Sequence, residues 1–353
     1  MAPFSLEIEN PALPLDSIVA VSGANGFIAS HIVDQLLAAG YRVRGTVRDA
    51  SRTGWLQSHF DAAYGPGRFS LVSVPDITAD GAFDKALEGV HGVVHTLAIT
   101  NLDPNPDNVV PANVSATLNI AKSAAKSSSL TRFAYTSSSG AAAIPKPGEE
   151  YVVNKDTYNE EAVAISYSGK GPKGMAGGYL AYSAAKTKAE QALWKWYKEE
   201  KPSFVLNSII PNVAVGKVLK PEHQGFPTTV GLLQPIWEGH LAMDMVYMFP
   251  AQWFTDVEDI ARMHLASLLF PDVNSERLVS YGGRFNLNDV LAAFRKVDPS
   301  RVLPDDIPNL PKDVGKIDNE RATELLRRLG RPGWVTLDES LKPLTEQYVK
   351  AKK

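Results

Sequence analysis

The sequence predicts a doubly wound α/β fold, a parallel sheet flanked by helices, with a smaller C-terminal lobe. Three observations lead there. The first half of the chain alternates between strand-like apolar runs and helical periodicity. A glycine-rich turn follows the first apolar run and opens the first helix. The length of 353 residues suits one large α/β core with an appended lobe.

The elements follow in order. Ser17–Ser22 is a short apolar run that ends in the glycine turn, so it reads as a buried strand. Phe27, Ile28, Ile32, Val33, Leu36 and Leu37 then recur at helical spacing through residues 26–39, and Gly40 stops the helix. Further strands are expected at 41–47, 69–74, 92–97 and 133–136, the last after a helical stretch at 114–125. A helix at 179–200 and a sixth strand at 204–210 come next. Strand, helix, strand at this rhythm implies βαβ crossovers and a parallel sheet. The second half is less regular. Residues 169–178 (GKGPKGMAGG) read as a flexible loop, and 215–250 as pocket-forming loops and short helices. Helices are expected at 257–269, 287–297, 319–329 and 337–351, with a strand at 277–281 and a Pro-rich connection at 303–312.

Composition narrows the partners. Hydrophobic residues make up 44% and charged residues 21%, as in ordinary globular chains. The formal net charge of -3 offers no basic excess for nucleic acid or an anionic membrane surface. The absence of cysteine excludes disulfides, thiolate metal sites and a catalytic thiol. The seven histidines show no ligand spacing, so no metal is expected. Residues 1–14 lack the basic start and apolar run of a signal peptide, and no stretch approaches the ~18 apolar residues of a membrane span. A cytoplasmic chain is expected, as a monomer or a homodimer. Asn113-Val-Ser115 matches a glycosylation string but falls in a predicted helix of such a chain, so it is discounted.

The turn Ser22-Gly23-Ala24-Asn25-Gly26-Phe27-Ile28-Ala29 has the strand-before, helix-after setting that dinucleotide binding on a Rossmann-type sheet requires. Gly23 allows a tight turn, Gly26 lets the backbone approach a pyrophosphate, and Ala29 takes the helix-packing position. The free N–H groups of the helix start then face phosphate charge. The end of the second strand selects the dinucleotide. A site for NAD places Asp or Glu there to hold the ribose 2′-hydroxyl. This chain places Arg48 instead, a fork suited to a 2′-phosphate, so NADPH is expected. Arg44 and Arg52 read either as supports or as solvated residues, and Asp76 either as an adenine acceptor or as a turn aspartate. Ile77 and Leu97 are expected beside the cofactor as well.

Tyr182-Ser-Ala-Ala-Lys186 places a phenol and an ammonium one helical turn apart on one face. A carbonyl that receives hydride must be protonated as its oxygen gains charge. A phenol with an ordinary pKa of ~10 is a poor partner for this, and a nearby ammonium lowers that value. Ser138, in the run Thr136–Ser139 at the end of the fifth strand, is the expected hydrogen-bond partner of the substrate oxygen. Ser137 and Ser139 are expected to bond local backbone.

At these residues the chain resembles a family. Gly23-xx-Gly26-xx-Ala29, Asn113-Val-Ser-Ala-Thr117-Leu-Asn119, Thr136-Ser-Ser138 and Tyr182-xxx-Lys186 are similar to the extended branch of the short-chain dehydrogenases/reductases. The nearest group is the fungal NADPH-dependent aldehyde and ketone reductases, including the methylglyoxal type; plant dihydroflavonol and cinnamoyl-CoA reductases are further off. Tyr41–Arg48, Ile144–Pro147 and Gly330–Trp334 look like the yeast and fungal carbonyl reductases in particular. The resemblance implies Tyr182 as proton donor, Lys186 as its activator and ribose ligand, Ser138 as carbonyl anchor and Arg48 as holder of the 2′-phosphate. It places Pro211, Asn212 and Val213 against the nicotinamide. Leu97 stands where relatives often carry Ala. The expected activity is reduction of an aldehyde, ketone or keto ester. A flavonoid-type or hydroxysteroid-type reductase, a sugar epimerase and a non-catalytic NADP sensor are the alternatives.

On this reading residues 1–15 are an extension, 16–215 the NADP-binding core, and 216–353 mostly a substrate-binding lobe with segments that return to the core. The pocket wall is expected from 141–145, 175–179 and 226–254. Ala141, Trp237 and Gln252 are the candidate contacts, and Met243, Met245, Tyr247, Met248, Phe249, Trp253 and Phe254 supply apolar surface. An apolar or aromatic carbonyl substrate is expected.

Overall fold

Strand residues along the first half point alternately to two apolar layers, and this alternation builds the molecule. In a computed structural model, which describes residues 10–242, 245–246 and 249–351, Val19 and Val21 enter one buried cluster while Ala20 between them enters another. The same division holds at Val93 and Val94, and at Phe133 and Ala134. A sheet with both faces buried is the setting in which parallel strands occur.

The strands are β1 (Ile18–Ser22), β2 (Arg42–Val47), β3 (Phe69–Ser73), β4 (Gly92–His95), β5 (Arg132–Thr136), β6 (Val152–Val153), β7 (Val205–Pro211), β8 (Val213–Val215), β9 (Gln252–Asp256), β10 (Arg277–Ser280), β11 (Gly283–Phe285) and β12 (Lys316–Ile317). The helices are α1 (Phe27–Ala38), α2 (Gly54–Tyr64), α3 (Pro106–Ala125), α4 (Glu160–Tyr167), α5 (Gly174–Glu200), α6 (Pro221–Gln224), α7 (Thr228–Trp237), α8 (Val257–Leu269), α9 (Leu287–Val297), α10 (Glu320–Arg328) and α11 (Leu337–Ala351). Seven strands form one parallel sheet in the order β10-β7-β5-β4-β1-β2-β3. The order reverses between β1 and β4, and that switch point opens a crevice at the carboxyl ends of the strands.

Helices α1 and α8 pack together on one side of the sheet, and α3 and α5 on the other. Asn105 caps α3 by accepting from the Asp107 N–H, with Pro106 in the first turn. Gly45 in β2 is a point of close contact with the glycine turn and β3. A Cβ there would stand 2.6 Å from the Ala24 Cβ and 2.9 Å from the Phe69 ring. A second apolar cluster draws Trp237, Phe294, Leu341 and Tyr348 from α7, α9 and α11 together with Phe27 of α1.

The structure corrects several expectations. Helices α2 and α4 and strands β9 and β11 were not anticipated. Residues Gly174–Gly178, read as loop, form the first turns of α5. Their glycines are used for packing: a Cβ on Gly178 would lie 2.1 Å from the Leu102 carbonyl, and one on Gly177 2.2 Å from that of Pro172. The short helices expected within 215–250 include α6 and α7. Met243, Tyr247 and Met248 lie outside the described residues, as do residues 1–9 of the expected extension.

Gly45→Val is expected to destabilise the fold by about 1–3 kcal/mol through overpacking between β2 and the glycine turn. Urea denaturation at fixed pH reads this directly.

Candidate active site

The glycine turn is fixed from beneath by backbone bonds. Gly23 has φ +65°, a conformation that favours glycine. The Ala24 N–H donates to the Thr46 carbonyl at 3.0 Å, and the Gly26 N–H to that of Gly23 at 2.8 Å. Ser22 ties β1 to β4. Its hydroxyl accepts from the Thr96 N–H at 2.9 Å and contacts the His95 Nδ1 at 2.9 Å. The Leu97 side chain lies directly on the turn, because a Cβ on Gly23 would meet its Cδ2 at 2.6 Å.

A cleft of about 810 Å³ opens at this switch point. Its wall contains Gly23, Asn25, Arg48, Arg52, Asp76, Ile77 and Leu97 from the sequence-derived set. Gly26, Phe27 and Ile28 belong to the turn and the start of α1 behind that wall. Pro211, Asn212 and Val213 follow the end of β7, two strands further along the sheet. Arg48 is exposed and makes no ion pair or hydrogen bond among the described residues. Arg44 is a different case: it donates to the Ala86 and Glu88 carbonyls at 2.9 and 2.7 Å, which makes it a structural brace. Asp76 accepts from the N–H and hydroxyl of Thr78 at 2.9 and 2.6 Å, so it acts as a turn aspartate that also faces the cleft. Two asparagines of the α3 motif shape the cleft from outside it. Asn113 accepts from the Ile99 N–H at 2.9 Å, and Asn119 donates to the Thr78 carbonyl at 2.8 Å.

At the end of β5, α5 presents Tyr182 and Lys186, which like Ser138 are not among the residues lining this cleft. Tyr182 is half-buried, and the Ser138 hydroxyl acts on its phenol. Ser138 also accepts from the Gly140 N–H at 3.1 Å, which fixes its rotamer. Lys186 is 2% exposed and donates to the Tyr135 hydroxyl at 3.0 Å and the Thr136 carbonyl at 2.8 Å. Burial drives its pKa down to about 8, while the Glu190 charge works to hold it up. Burial pushes the Tyr182 phenol above its ordinary value, against the lowering effect of the Ser138 hydrogen bond. In this arrangement the hydrogen bonds of the Lys186 ammonium go to Tyr135 and the Thr136 carbonyl.

Glu190, one turn beyond Lys186, is fully buried and pairs with Arg277 from β10 at 3.0 Å. It also accepts from the Ser137 hydroxyl at 2.7 Å. Ser139 hydrogen-bonds Tyr281. Both findings correct the expectation that these two serines bond local backbone. Burial acts to raise the Glu190 pKa, but the Arg277 and serine hydrogen bonds hold it below the usual carboxylate value. The Thr136 hydroxyl meets the His264 Nε2 at 2.7 Å, and burial brings that histidine down to about 4. The end of β5 is thus bolted to α5, α8 and β10 by buried polar bonds, none legible from one segment alone.

The expected pocket contacts fare less well. Trp237 is 1% exposed, with Phe294 edge-on to its ring and the Arg301 guanidinium 4.1 Å from its centroid. It is a core side chain of the C-terminal lobe. Ala141 is fully buried, and its carbonyl accepts from the Asn159 N–H, so its side chain presents no wall. Gln252 begins β9 and is 4% exposed. Tyr179 is half-buried on α5 with its ring 6.4 Å from that of Tyr182.

Residues 19–282 match the NAD dependent epimerase/dehydratase family. The chain belongs to that family. Within the epimerase/dehydratase family it is 39% identical over 341 residues to aldehyde reductase 2 of Sporidiobolus salmonicolor, covering 96% of this chain and 98% of that protein. It is 33% identical over 341 residues to ketoreductase adrE of Penicillium rubens, covering 95% and 97%. The fold is that of yeast methylglyoxal/isovaleraldehyde reductase, solved with NADPH, at TM-score 0.77, 24% identity and coverage of 95% and 99%. The resemblance to extended short-chain reductases read from the motifs is therefore borne out. Among the described residues no cluster of His, Asp or Glu could hold a metal ion, and no helix is long and apolar enough to cross a membrane.

Arg277→Leu removes one partner of a buried ion pair and leaves Glu190 charged in the interior. A loss of about 3–5 kcal/mol in unfolding free energy is expected, read by urea denaturation.

Proposed function

We propose that this chain reduces an aldehyde, ketone or keto ester to the alcohol with NADPH. One observation supports this best: α5 carries Tyr182, whose phenol the Ser138 hydroxyl acts on, one helical turn before the buried Lys186, in a chain whose glycine turn lines a dinucleotide-sized cleft. The residues present fit the dinucleotide. The glycine turn leaves Gly23 and Gly26 without side chains at the crevice, and the free N–H groups of α1 suit a pyrophosphate. The unpaired Arg48 guanidinium at the end of β2 suits a 2′-phosphate, with Arg52 nearby on the same wall. Asp76, Ile77 and Leu97 on the cleft wall would hold the adenosine and ribose, and Lys186 would offer the ribose the N–H that Tyr135 and Thr136 leave free. Pro211, Asn212 and Val213 would stand against the nicotinamide.

When bound, the dinucleotide supplies hydride to the carbonyl carbon of the substrate. Ser138 and Tyr182 hold that carbonyl oxygen from two sides. As negative charge gathers there, Ser138 donates a hydrogen bond and Tyr182 transfers its proton, so the product leaves as an alcohol. Lys186 opposes the charge left on Tyr182, which offsets the burial that otherwise keeps the phenol protonated. Neither Ser138 nor Tyr182 needs to move far, since each is held before substrate enters. The names of the reductase relatives support the same chemistry. The half-buried Tyr179 beside Tyr182 favours apolar or aromatic substrates.

Two variants test this reading. Tyr182→Phe is expected to abolish NADPH oxidation across a panel of aromatic aldehydes and β-keto esters while NADPH still binds by fluorescence titration. Wild-type kcat in that variant would remove Tyr182 as the acid. Arg48→Ala is expected to raise the Kd for NADPH by roughly 10-fold or more with little change for NADH. Equal effects on both would remove the 2′-phosphate role.

A further inference from the structure

The lysine that serves Tyr182 is itself held by a residue from another element. Tyr135 is the penultimate residue of β5, opposite His95 of β4 in the sheet register. It is 1% exposed, and its hydroxyl accepts from the Lys186 Nζ at 3.0 Å. Thr117 of α3 stands by the same hydroxyl and acts to lower its pKa against burial. The Lys186 Nζ also lies 4.5 Å from the centroid of the Tyr135 ring, against its face. The ammonium is therefore fixed by one hydroxyl, one carbonyl and one ring face.

We infer that Tyr135 is a positioning residue for the reaction: with Thr117 behind it, its hydroxyl sets where the Lys186 ammonium stands and leaves it one N–H for the cofactor side. An ammonium has three donors. The Thr136 carbonyl takes one and Tyr135 the second. A phenylalanine in place of Tyr135 would keep the ring and the volume but leave a charged donor buried without its acceptor. The ammonium would then turn toward other acceptors, away from the place from which it supports Tyr182.

The groups that face Lys186 are few. Glu190 comes from its own helix, Tyr135 and the Thr136 carbonyl from β5, and His95 from β4. His95 is buried, and burial and then the Lys186 charge bring it down to about 3, so it stays neutral across the working range. Glu190 is already paired with Arg277. Tyr135 is thus the side chain that hydrogen-bonds the ammonium directly, and its loss disfavours the charged lysine.

This inference rests on the reductase reading, and the test separates the two. Full-length Tyr135→Phe and Lys186→Met are compared with wild type for NADPH binding, kcat, KM and the pH profile of kcat. In Tyr135→Phe, kcat is expected to fall roughly 10-fold to 100-fold with KM nearly unchanged, since misplacement of a catalytic group costs on that order. The alkaline limb of its profile is expected to move to lower pH, because the charged lysine has lost an acceptor. Damage to the fold alone would lower kcat at every pH without moving the limb. Wild-type kcat and profile in Tyr135→Phe, with Lys186→Met inactive, would overturn the inference and leave the reductase reading standing. An active Lys186→Met would overturn both. If Tyr135→Phe does not fold, Thr117→Val carries the same test. It leaves the ring in place, frees the hydroxyl, and is expected to move the limb less in the same direction.

Discussion

A single buried ammonium organises the site. The Lys186 Nζ sits where α5 crosses the end of β5, out of water, bonded to one backbone carbonyl and one phenol. A cation in such a place is costly unless its donors are satisfied. Hydrogen bonds to a charged group contribute about 1.5–3 kcal/mol each, so the carbonyl and the hydroxyl together decide whether the lysine stays charged and where it points. Tyr182 stands one turn earlier on the same helix, and its position relative to Ser138 follows from the same crossing.

The crossing is held by bonds that run between elements. Glu190, a turn beyond the lysine, reaches Ser137 of the strand end and Arg277 of β10. Thr136 reaches His264 of α8. At the other end of α5, the glycines let the Leu102 carbonyl approach at Gly178, one turn before Tyr182. The loop that contains Leu102 begins at the cleft wall, where Leu97 to Asn101 border the space for the dinucleotide. Helix α5 is therefore packed against the loop that leads away from the cleft wall. A change in either has a short mechanical path to the other.

Much of this was legible in the sequence, for physical reasons. The sheet strands announce themselves because both faces are buried, which leaves continuous apolar runs such as Ile18–Val21. The glycine turn and the Tyr182–Lys186 pair are local patterns, readable within eight residues or fewer. What failed depended on tertiary contact. Helix α2 buries only Leu56 and Phe60, so its apolar stripe is too thin to read. The glycines of Gly174–Gly178 signal flexibility by composition, yet they serve close helix packing. Trp237 looks like a pocket aromatic until Phe294 and Arg301 are seen around it. Tyr135 and Glu190 carry no motif that marks them as partners of the site, because each reaches it from a different turn or element.

The most direct measurement is the titration of Lys186 itself, followed by NMR of the lysine Nζ groups in the full chain, with Lys186→Met to assign the signal. Burial between β5 and α5 predicts a pKa near 8, against an ordinary lysine value of 10.5. A Lys186 signal that titrates at the ordinary value would mean a solvated ammonium, and the account of the site built on its burial would be wrong.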